Sequence, residues 1–213
     1  MSSSTKPRII SFASAKEWAK WLSKHHATST GIWMRFFKKD SGIDSVTHGE
    51  ALDEALCYGW IDGQLQRYDS KSWLHKFTPR KAKSVWSKRN IEHIARLLKA
   101  KRMKPAGLRQ VEAAKADGRW DGAYDSPKAM QVPQDFLEEL AKNKNAEAFF
   151  RTLNKANTYA IAWRLQTAKK PGTREKRMKV ILDMLASGES LHPQHNGNLR
   201  QGGSAARGDF FLD

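Results

Sequence analysis

The period of the apolar residues changes once along the chain, at about Ser84, and no other feature constrains the fold as strongly. Before this point, short strand-like runs alternate with helical segments, whereas after it apolar residues recur only at helical spacing. Strands restricted to one half cannot alternate with helices along the whole chain. The pattern therefore predicts an α+β fold, with a small sheet in the N-terminal half and helices alone in the C-terminal half.

Two capping boxes and three strand-like runs order the N-terminal half. Helices are predicted to begin at Ser14 and Thr47, because a glutamate stands three residues beyond each of them. Residues 32–38, 60–68 and 72–78 are strand-like, and the last two runs are predicted to form a hairpin. This half is thus expected to have the order α-β-α-β-β.

Domain boundaries are expected where the spacing of apolar residues changes from strand-like to helical and where apolar periodicity ends. Residues 1–80 form the predicted α+β half and residues 81–188 the predicted α-helical half, and the two are expected to fold as one compact unit. Residues 189–213 contain few apolar groups before the last positions. Such a composition cannot bury enough surface to offset the entropy of ordering, so we expect a disordered tail.

Composition excludes several classes of protein. The single cysteine, Cys57, excludes an internal disulfide and a cysteine-based metal cluster, and it suits a reducing cytosol. Cys57 also lies on a predicted apolar face, which disfavours a reactive thiolate. No apolar run reaches the roughly 18 residues of a membrane span, and the first residues do not form a secretory signal. We therefore expect a cytoplasmic protein with no transmembrane segment.

Cofactor motifs are missing from the sequence. The seven histidines do not form the H-x-x-x-H or H-E-x-x-H spacing of a helical zinc site. No glycine-rich phosphate loop precedes a predicted helix. The sequence therefore predicts neither a metal site nor a nucleotide cofactor.

The net charge of +16 is concentrated in two blocks. Residues 76–109 contain twelve basic residues and one acidic residue, and residues 142–179 contain eleven basic and two acidic residues. Such blocks attract nucleic acids, anionic lipid surfaces or acidic proteins. Charge alone does not choose among these partners.

Basic residues and hydroxyl groups surround Trp86 between residues 77 and 90. Arginine and lysine hold phosphate or carboxylate oxygens, and a serine at a helix start lies beside free backbone N–H donors. We expect Trp86 to be buried and the cations to face solvent. The alternative is a solvated connector in which a serine only caps a helix. The candidate binding residues are Arg80, Lys81, Lys83, Ser84, Ser87, Lys88 and Arg89.

Residues 54–63 mark a predicted passage from helix to strand and carry a second candidate site. A structural interpretation makes Trp60 the seal of the core at this corner. A functional interpretation makes Asp62 a site carboxylate, with His75 arriving from the other arm of the hairpin. Arg80 would complete a pocket with them. An enzyme would use this pocket, and a buried carboxylate with a shifted pKa would support it.

Six stretches of unusual sequence follow one another along the chain. They are residues 50–63 (EALDEALCYGWIDG), 77–80 (FTPR), 84–90 (SVWSKRN), 102–107 (RMKPAG), 117–120 (DGRW) and 168–174 (AKKPGTR). In this order they resemble the bacterial YdeI/OmpD-associated family, whose members are labelled bacteriocin-protection proteins. The resemblance implies a role in bacteriocin protection and envelope-stress resistance, and its label alone implies an association with a porin. It implies no reaction and no catalytic residue.

These observations lead to one main hypothesis and two alternatives. The main hypothesis is a cytoplasmic, non-enzymatic stress-protection protein that binds an anionic partner through the basic surface of residues 76–109. The first alternative is an enzyme of unknown reaction that uses the pocket of Asp62, His75 and Arg80. The second is a non-specific nucleic-acid-binding protein, although no recognised binding motif accompanies the charge.

Overall fold

The computed structural model describes residues 8–126 and 129–194. The chain divides into an N-terminal unit, Met1–Ala129, and a C-terminal unit, Met130–Asp213. All strands among the described residues lie in the N-terminal unit, and the described part of the C-terminal unit is helical. The predicted α+β class is therefore confirmed. Among the described residues, no helix combines the length and the apolar character needed to cross a membrane.

A mixed four-stranded sheet forms the centre of the N-terminal unit. Its strands are β1 (Ile9–Ser11), β2 (Ile32–Phe37), β3 (Trp60–Arg67) and β4 (Ser72–Pro79). Their spatial order is β1-β2-β4-β3, with β1 parallel to β2 and the other pairs antiparallel. The hairpin of β3 and β4 is as predicted. The sequence interpretation missed β1, because three residues are too few to show alternation.

Two helices cover one face of this sheet, and both begin where their caps predict. They are α1 (Ala15–His25) and α2 (His48–Cys57), and a short 3-10 turn at Lys39–Ser41 precedes the second. Thr47 and Glu50 form a complete capping box at the start of α2. Beneath the helices, Trp18, Phe36 and Phe77 are fully buried. This aromatic core fixes α2 against the sheet.

Two further helices belong to the N-terminal unit, which moves its boundary away from the predicted position. They are α3 (Lys88–Lys99) and α4 (Pro105–Ala116). Trp86 and Leu97 share a buried cluster with Leu56 of α2. A Cβ on Gly107 of α4 would lie 2.4 Å from the Cys57 carbonyl oxygen, so this glycine allows α4 to approach α2 closely. The unit therefore ends near residue 129 rather than at residue 80, because the core of α2 continues into α3 and α4.

The described part of the C-terminal unit contains four helices around a separate core. They are α5 (Gln134–Ala141), α6 (Lys144–Phe150), α7 (Lys155–Gln166) and α8 (Pro171–Ala186). Phe136, Ile161 and Leu185 are fully buried at its centre.

Part of the predicted tail is bound to α7. The side chain of Asn157 is fully buried; its Oδ1 accepts from the His192 backbone N–H at 2.8 Å, and its Nδ2 donates to the His192 carbonyl at 3.1 Å. Gln194 Oε1 accepts from the Asn154 backbone N–H at 3.1 Å. Polar contacts thus hold residues 189–194, although these residues show no apolar periodicity. Residues 195–213, also predicted to be disordered, lie outside the described residues.

Candidate functional site

Three ligand-type side chains meet on the sheet face that α2 covers. Asp62 lies on β3 opposite Phe77 of β4, and His75 is two residues earlier on β4. A β-bulge between Asp62 and Leu65 changes the register, so that the Gly63 carbonyl oxygen lies 3.2 Å from His75 Nε2. His48 is the first residue of α2 after its cap.

The three side chains form a compact polar group, here called the His-Asp-His cluster (His48, Asp62 and His75). His48 Nε2 lies 3.1 Å from Asp62 Oδ2, and His75 Nε2 lies 3.8 Å from the same oxygen. The two imidazole rings stack with centroids 4.6 Å apart and planes 12° from parallel. His75 is 8% exposed. A carboxylate and two imidazoles in a partly dry site can carry proton transfer or bind a metal ion.

The electrostatics of the His-Asp-His cluster favour an ionised carboxylate beside a neutral buried histidine. Burial alone would raise the pKa of the Asp62 carboxyl, but the hydrogen bond with His48 and the charge of both histidines outweigh burial and lower the pKa. Burial lowers the pKa of His75, and the charge of His48 lowers that pKa further. His75 Nδ1 is buried and has no hydrogen-bond partner among the residues the structure describes.

The structure brings Asp62 and His75 together as the functional interpretation proposed, whereas only the charge of Asp62, which acts to raise the pKa of Arg80 against the larger effect of burial, connects Arg80 to them. No hydrogen bond or ion pair links Arg80 to either residue in the described part of the chain. Sequence reasoning missed His48, which follows the cap Thr47 and matches no spaced motif. Only the packing of α2 on the sheet brings His48 to Asp62.

Arg80 is buried, so the prediction that it faces solvent is wrong. The residue is 5% exposed; its guanidinium carbon lies 3.8 Å from the Trp86 ring centroid, and Nη1 donates to the Val85 carbonyl at 2.9 Å. Stacking on the tryptophan explains the burial. Nη2 is buried without a hydrogen-bond partner among the described residues. Burial lowers the pKa of Arg80 to about 10, which still leaves the side chain cationic at neutral pH.

Arg80 lines a cleft of about 170 Å³, here called the Arg80 cleft. Its walls are His26, Ala27, Tyr58, Gly59, Trp60, Pro79, Arg80, Ala106, Arg109 and Gln110. None of these residues is acidic, and Arg109 is exposed to solvent. Ala106 belongs to the first turn of α4, where helix geometry leaves unpaired backbone N–H groups. Two arginines and a residue from the first turn of α4 therefore contribute to the lining of the same small space.

Trp60 is buried as predicted, with 1% of its surface exposed, and its indole Nε1–H donates to the His26 carbonyl at 3.0 Å. It seals the helix-to-strand corner and also forms part of the Arg80 cleft. Gly59 before it has φ +75°, the left-handed conformation that glycine tolerates best.

Cys57 at the end of α2 is buried, and desolvation raises the pKa of its thiol to about 11. This cysteine is not an activated nucleophile.

The remaining candidate binding residues divide into an exposed group and two serines with local structural contacts. The exposed residues are Lys81, Lys83, Lys88 and Arg89. Ser87 caps α3 by accepting from the Asn90 N–H, and Ser84 Oγ accepts from the Lys81 N–H. Lys88 pairs with Asp125 at 2.6 Å. The predicted exposure is thus observed for these four cations, while their part in binding stays a prediction.

Family models match both units. Residues 10–110 match a family described as "Domain of unknown function (DUF8412)". Residues 129–188 match a family described as "Bacteriocin-protection, YdeI or OmpD-Associated". Neither a curated protein nor a solved structure matches the chain.

Most of the stretches that carry the resemblance lie within one of the two matches. Residues 50–63, 77–80, 84–90 and 102–107 lie within the first match and residues 168–174 within the second, whereas residues 117–120 lie in neither. The second match begins at residue 129, one residue before the C-terminal unit. The chain therefore carries, over residues 129–188, a domain of the bacteriocin-protection, YdeI- or OmpD-associated family.

Proposed function

We propose that the N-terminal unit binds an anionic partner, and that the Arg80 cleft receives one carboxylate or phosphate group of that partner. The single observation that carries the proposal is the burial of Arg80. A guanidinium removed from water needs hydrogen bonds and an opposite charge to offset its desolvation. Arg80 has a carbonyl and an aromatic face, but no ion pair with a described residue.

The size of the cleft supports a binding subsite rather than a pocket for a whole substrate. Drug-sized ligands occupy pockets of about 300–1,000 Å³. The Arg80 cleft has about 170 Å³, enough for one oxyanion and its immediate neighbours. This comparison favours binding of a group on a larger molecule over an enzyme with an enclosed substrate.

The charge of the surrounding surface also favours a negatively charged partner. Among the described residues, three cations of residues 76–109 pair with acids from outside this block: Lys88 with Asp125, Arg96 with Asp53, and Arg102 with Glu54. Other exposed cations have no ion pair among the described residues. They are Lys81, Lys83, Arg89, Lys99, Lys101, Lys104 and Arg109. Their positive potential would attract an anionic partner before its oxyanion reaches the cleft.

We propose further that this binding contributes to bacteriocin protection in the cytoplasm. The family description of residues 129–188 supports the protective role, since it names bacteriocin protection. A protein that recognises an anionic group can act in this way without a chemical step.

The test exchanges the exposed cation of the cleft and leaves the buried one in place. Arg109→Glu should weaken binding to the partner about tenfold or more, because a carboxylate at this position repels the anionic group that the arginine attracts. Arg67→Glu is the matched control, since Arg67 is an exposed arginine on β3 outside residues 76–109. Binding is measured by fluorescence anisotropy with duplex DNA, single-stranded RNA and polyglutamate, and by co-sedimentation with phosphatidylglycerol vesicles.

The salt dependence separates general charge attraction from the proposed site. Affinity should fall linearly with salt on a log–log plot, with a slope of about −0.9 per phosphate on duplex DNA. Arg109→Glu should reduce affinity more than Arg67→Glu at every salt concentration. Equal losses for the two variants would refute the Arg80 cleft as the binding site. Failure of all four probes to bind would refute the anionic-partner function.

A further inference from the structure

We propose that the His-Asp-His cluster is a binding site for a divalent transition-metal ion of the Zn²⁺ class. Each of the three residues offers one ligand atom, and these atoms all lie within 4.8 Å of one another. The proposed anion subsite does not use these residues. The inference therefore goes beyond the proposed function and does not depend on it.

The observed spacing is close to that of a zinc site. Zn²⁺ binds histidine nitrogen and carboxylate oxygen at about 2.0–2.2 Å, so neighbouring ligand atoms of a tetrahedral site are about 3.3–3.6 Å apart. The distance from His48 Nε2 to Asp62 Oδ2 is 3.1 Å, just below this range. The distance from His75 Nε2 to the same oxygen is 3.8 Å, just above it. Side-chain movements of a few tenths of an ångström bring both pairs into range.

The donor set selects the class of ion. Two imidazoles and one carboxylate suit Zn²⁺, Co²⁺, Ni²⁺ or Fe²⁺, whereas Mg²⁺ and Ca²⁺ prefer oxygen ligands. Three protein ligands leave a fourth position for water, which is the arrangement of an open site rather than a closed structural one. The side chains of His48 and Asp62 are 29% and 25% exposed, so an ion can reach them from solvent.

The scaffold holds the ligands in place from three elements. The N-terminal capping box fixes His48 at the start of α2, and paired strands hold Asp62 and His75. The ring centroids of Phe36 and Phe77 lie 6.5 and 5.8 Å from the ring centroid of His75. Packing against these aromatic rings limits rotation of the imidazole. In the structure, Nε2 of His75 contacts the Gly63 carbonyl oxygen. An ion that binds this nitrogen replaces that contact.

The experiment titrates the full chain with Co²⁺ and Zn²⁺. Co²⁺ should bind at one equivalent and give the visible spectrum of a four-coordinate site, Zn²⁺ should displace it, and excess Mg²⁺ should not. Zn²⁺ should also raise the melting temperature, since an ion that binds only the folded state stabilises it. His48→Gln and Asp62→Asn should each weaken Co²⁺ binding about tenfold or more. Even residues that only hydrogen-bond to a metal ligand typically contribute about 10–100-fold to metal affinity.

Matched controls test three of the other histidines and the anion subsite. His25→Gln removes an exposed imidazole from α1, and the double variant His192→Gln/His195→Gln removes those near the C-terminus. Both should bind Co²⁺ like the wild type, as should Arg109→Glu, so the metal site and the proposed function fail independently. His48 is partly exposed, so His48→Gln should fold even if a His75 variant does not. Absent Co²⁺ binding, or wild-type affinity in His48→Gln, would overturn the proposal.

Discussion

Truncation of Trp60 should remove much of the stability of the N-terminal unit. Its indole is 1% exposed and packs edge-on against Trp18 and Trp21, with ring centroids 6.0 and 5.7 Å away. Trp60→Ala deletes a buried ring and leaves a cavity, which costs about 3–5 kcal/mol. The lost hydrogen bond to the His26 carbonyl adds about 1 kcal/mol. The sum approaches the roughly 5–15 kcal/mol by which a whole domain is stable.

A second substitution separates the ring from the hydrogen bond. Trp60→Phe keeps a buried aromatic ring and removes the Nε1–H donor, so it should cost about 1–3 kcal/mol in free energy of unfolding. The ring should therefore account for most of the difference between the wild type and Trp60→Ala. If the two variants are equally destabilised, the hydrogen bond rather than packing holds the corner, and the reasoning fails.

Guanidinium unfolding followed by tryptophan fluorescence measures this effect in the full chain. Seven of the eight tryptophans belong to the N-terminal unit, and Trp163 alone belongs to the C-terminal unit. The fluorescence transition therefore reports mainly on the unit that contains Trp60. A free energy of unfolding for Trp60→Ala within about 1 kcal/mol of the wild-type value, at an unchanged slope, would refute the predicted magnitude.

Two further stability predictions follow from close contacts. A chain that ends at Gly188 should unfold about 1–3 kcal/mol more easily than one that ends at Gln194, because the buried Asn157 loses its partners; circular dichroism of both truncations measures this, and equal stability would contradict it. Gly107→Ala should destabilise because its Cβ meets a carbonyl of α2 at 2.4 Å, whereas Gly49→Ala, with open space at this position, should stabilise by about 0.5–1 kcal/mol. Thermal melts compare the two, and a neutral Gly107→Ala would show that α4 moves freely.

Local signals in the sequence were sufficient for the helices and the hairpin. The cap and the glutamate of α2 lie within one turn, so Thr47 and Glu50 interact whatever the rest of the chain does. The strand β1 was missed because its three residues carry no pattern, and they become a strand only by pairing with β2. The order of residues 189–194 was missed for a related reason, since polar bonds to Asn157 leave no apolar period.

The candidate site could be predicted only in part. Asp62 and His75 lie on adjacent strands of a hairpin that the sequence predicts, so their proximity could be predicted as well. His48 reaches them from a helix, and the distance depends on how α2 packs on the sheet. Arg80 lies in a basic segment that the sequence predicts to be exposed, but the side chain stacks on Trp86 and is buried.

The sequence by itself determined the α+β class, the helix caps, the hairpin and the positive charge, because each depends on residues close in the chain or on composition. The tertiary structure alone decided where the N-terminal unit ends and which polar side chains meet. Packing of α2, α3 and α4 into one core buried Arg80 beside a cleft without acids and placed His48 against Asp62. Arg80 contacts Val85 and Trp86, which are near it in sequence, but its burial and the approach of His48 to Asp62 depend on helix packing that no local pattern records.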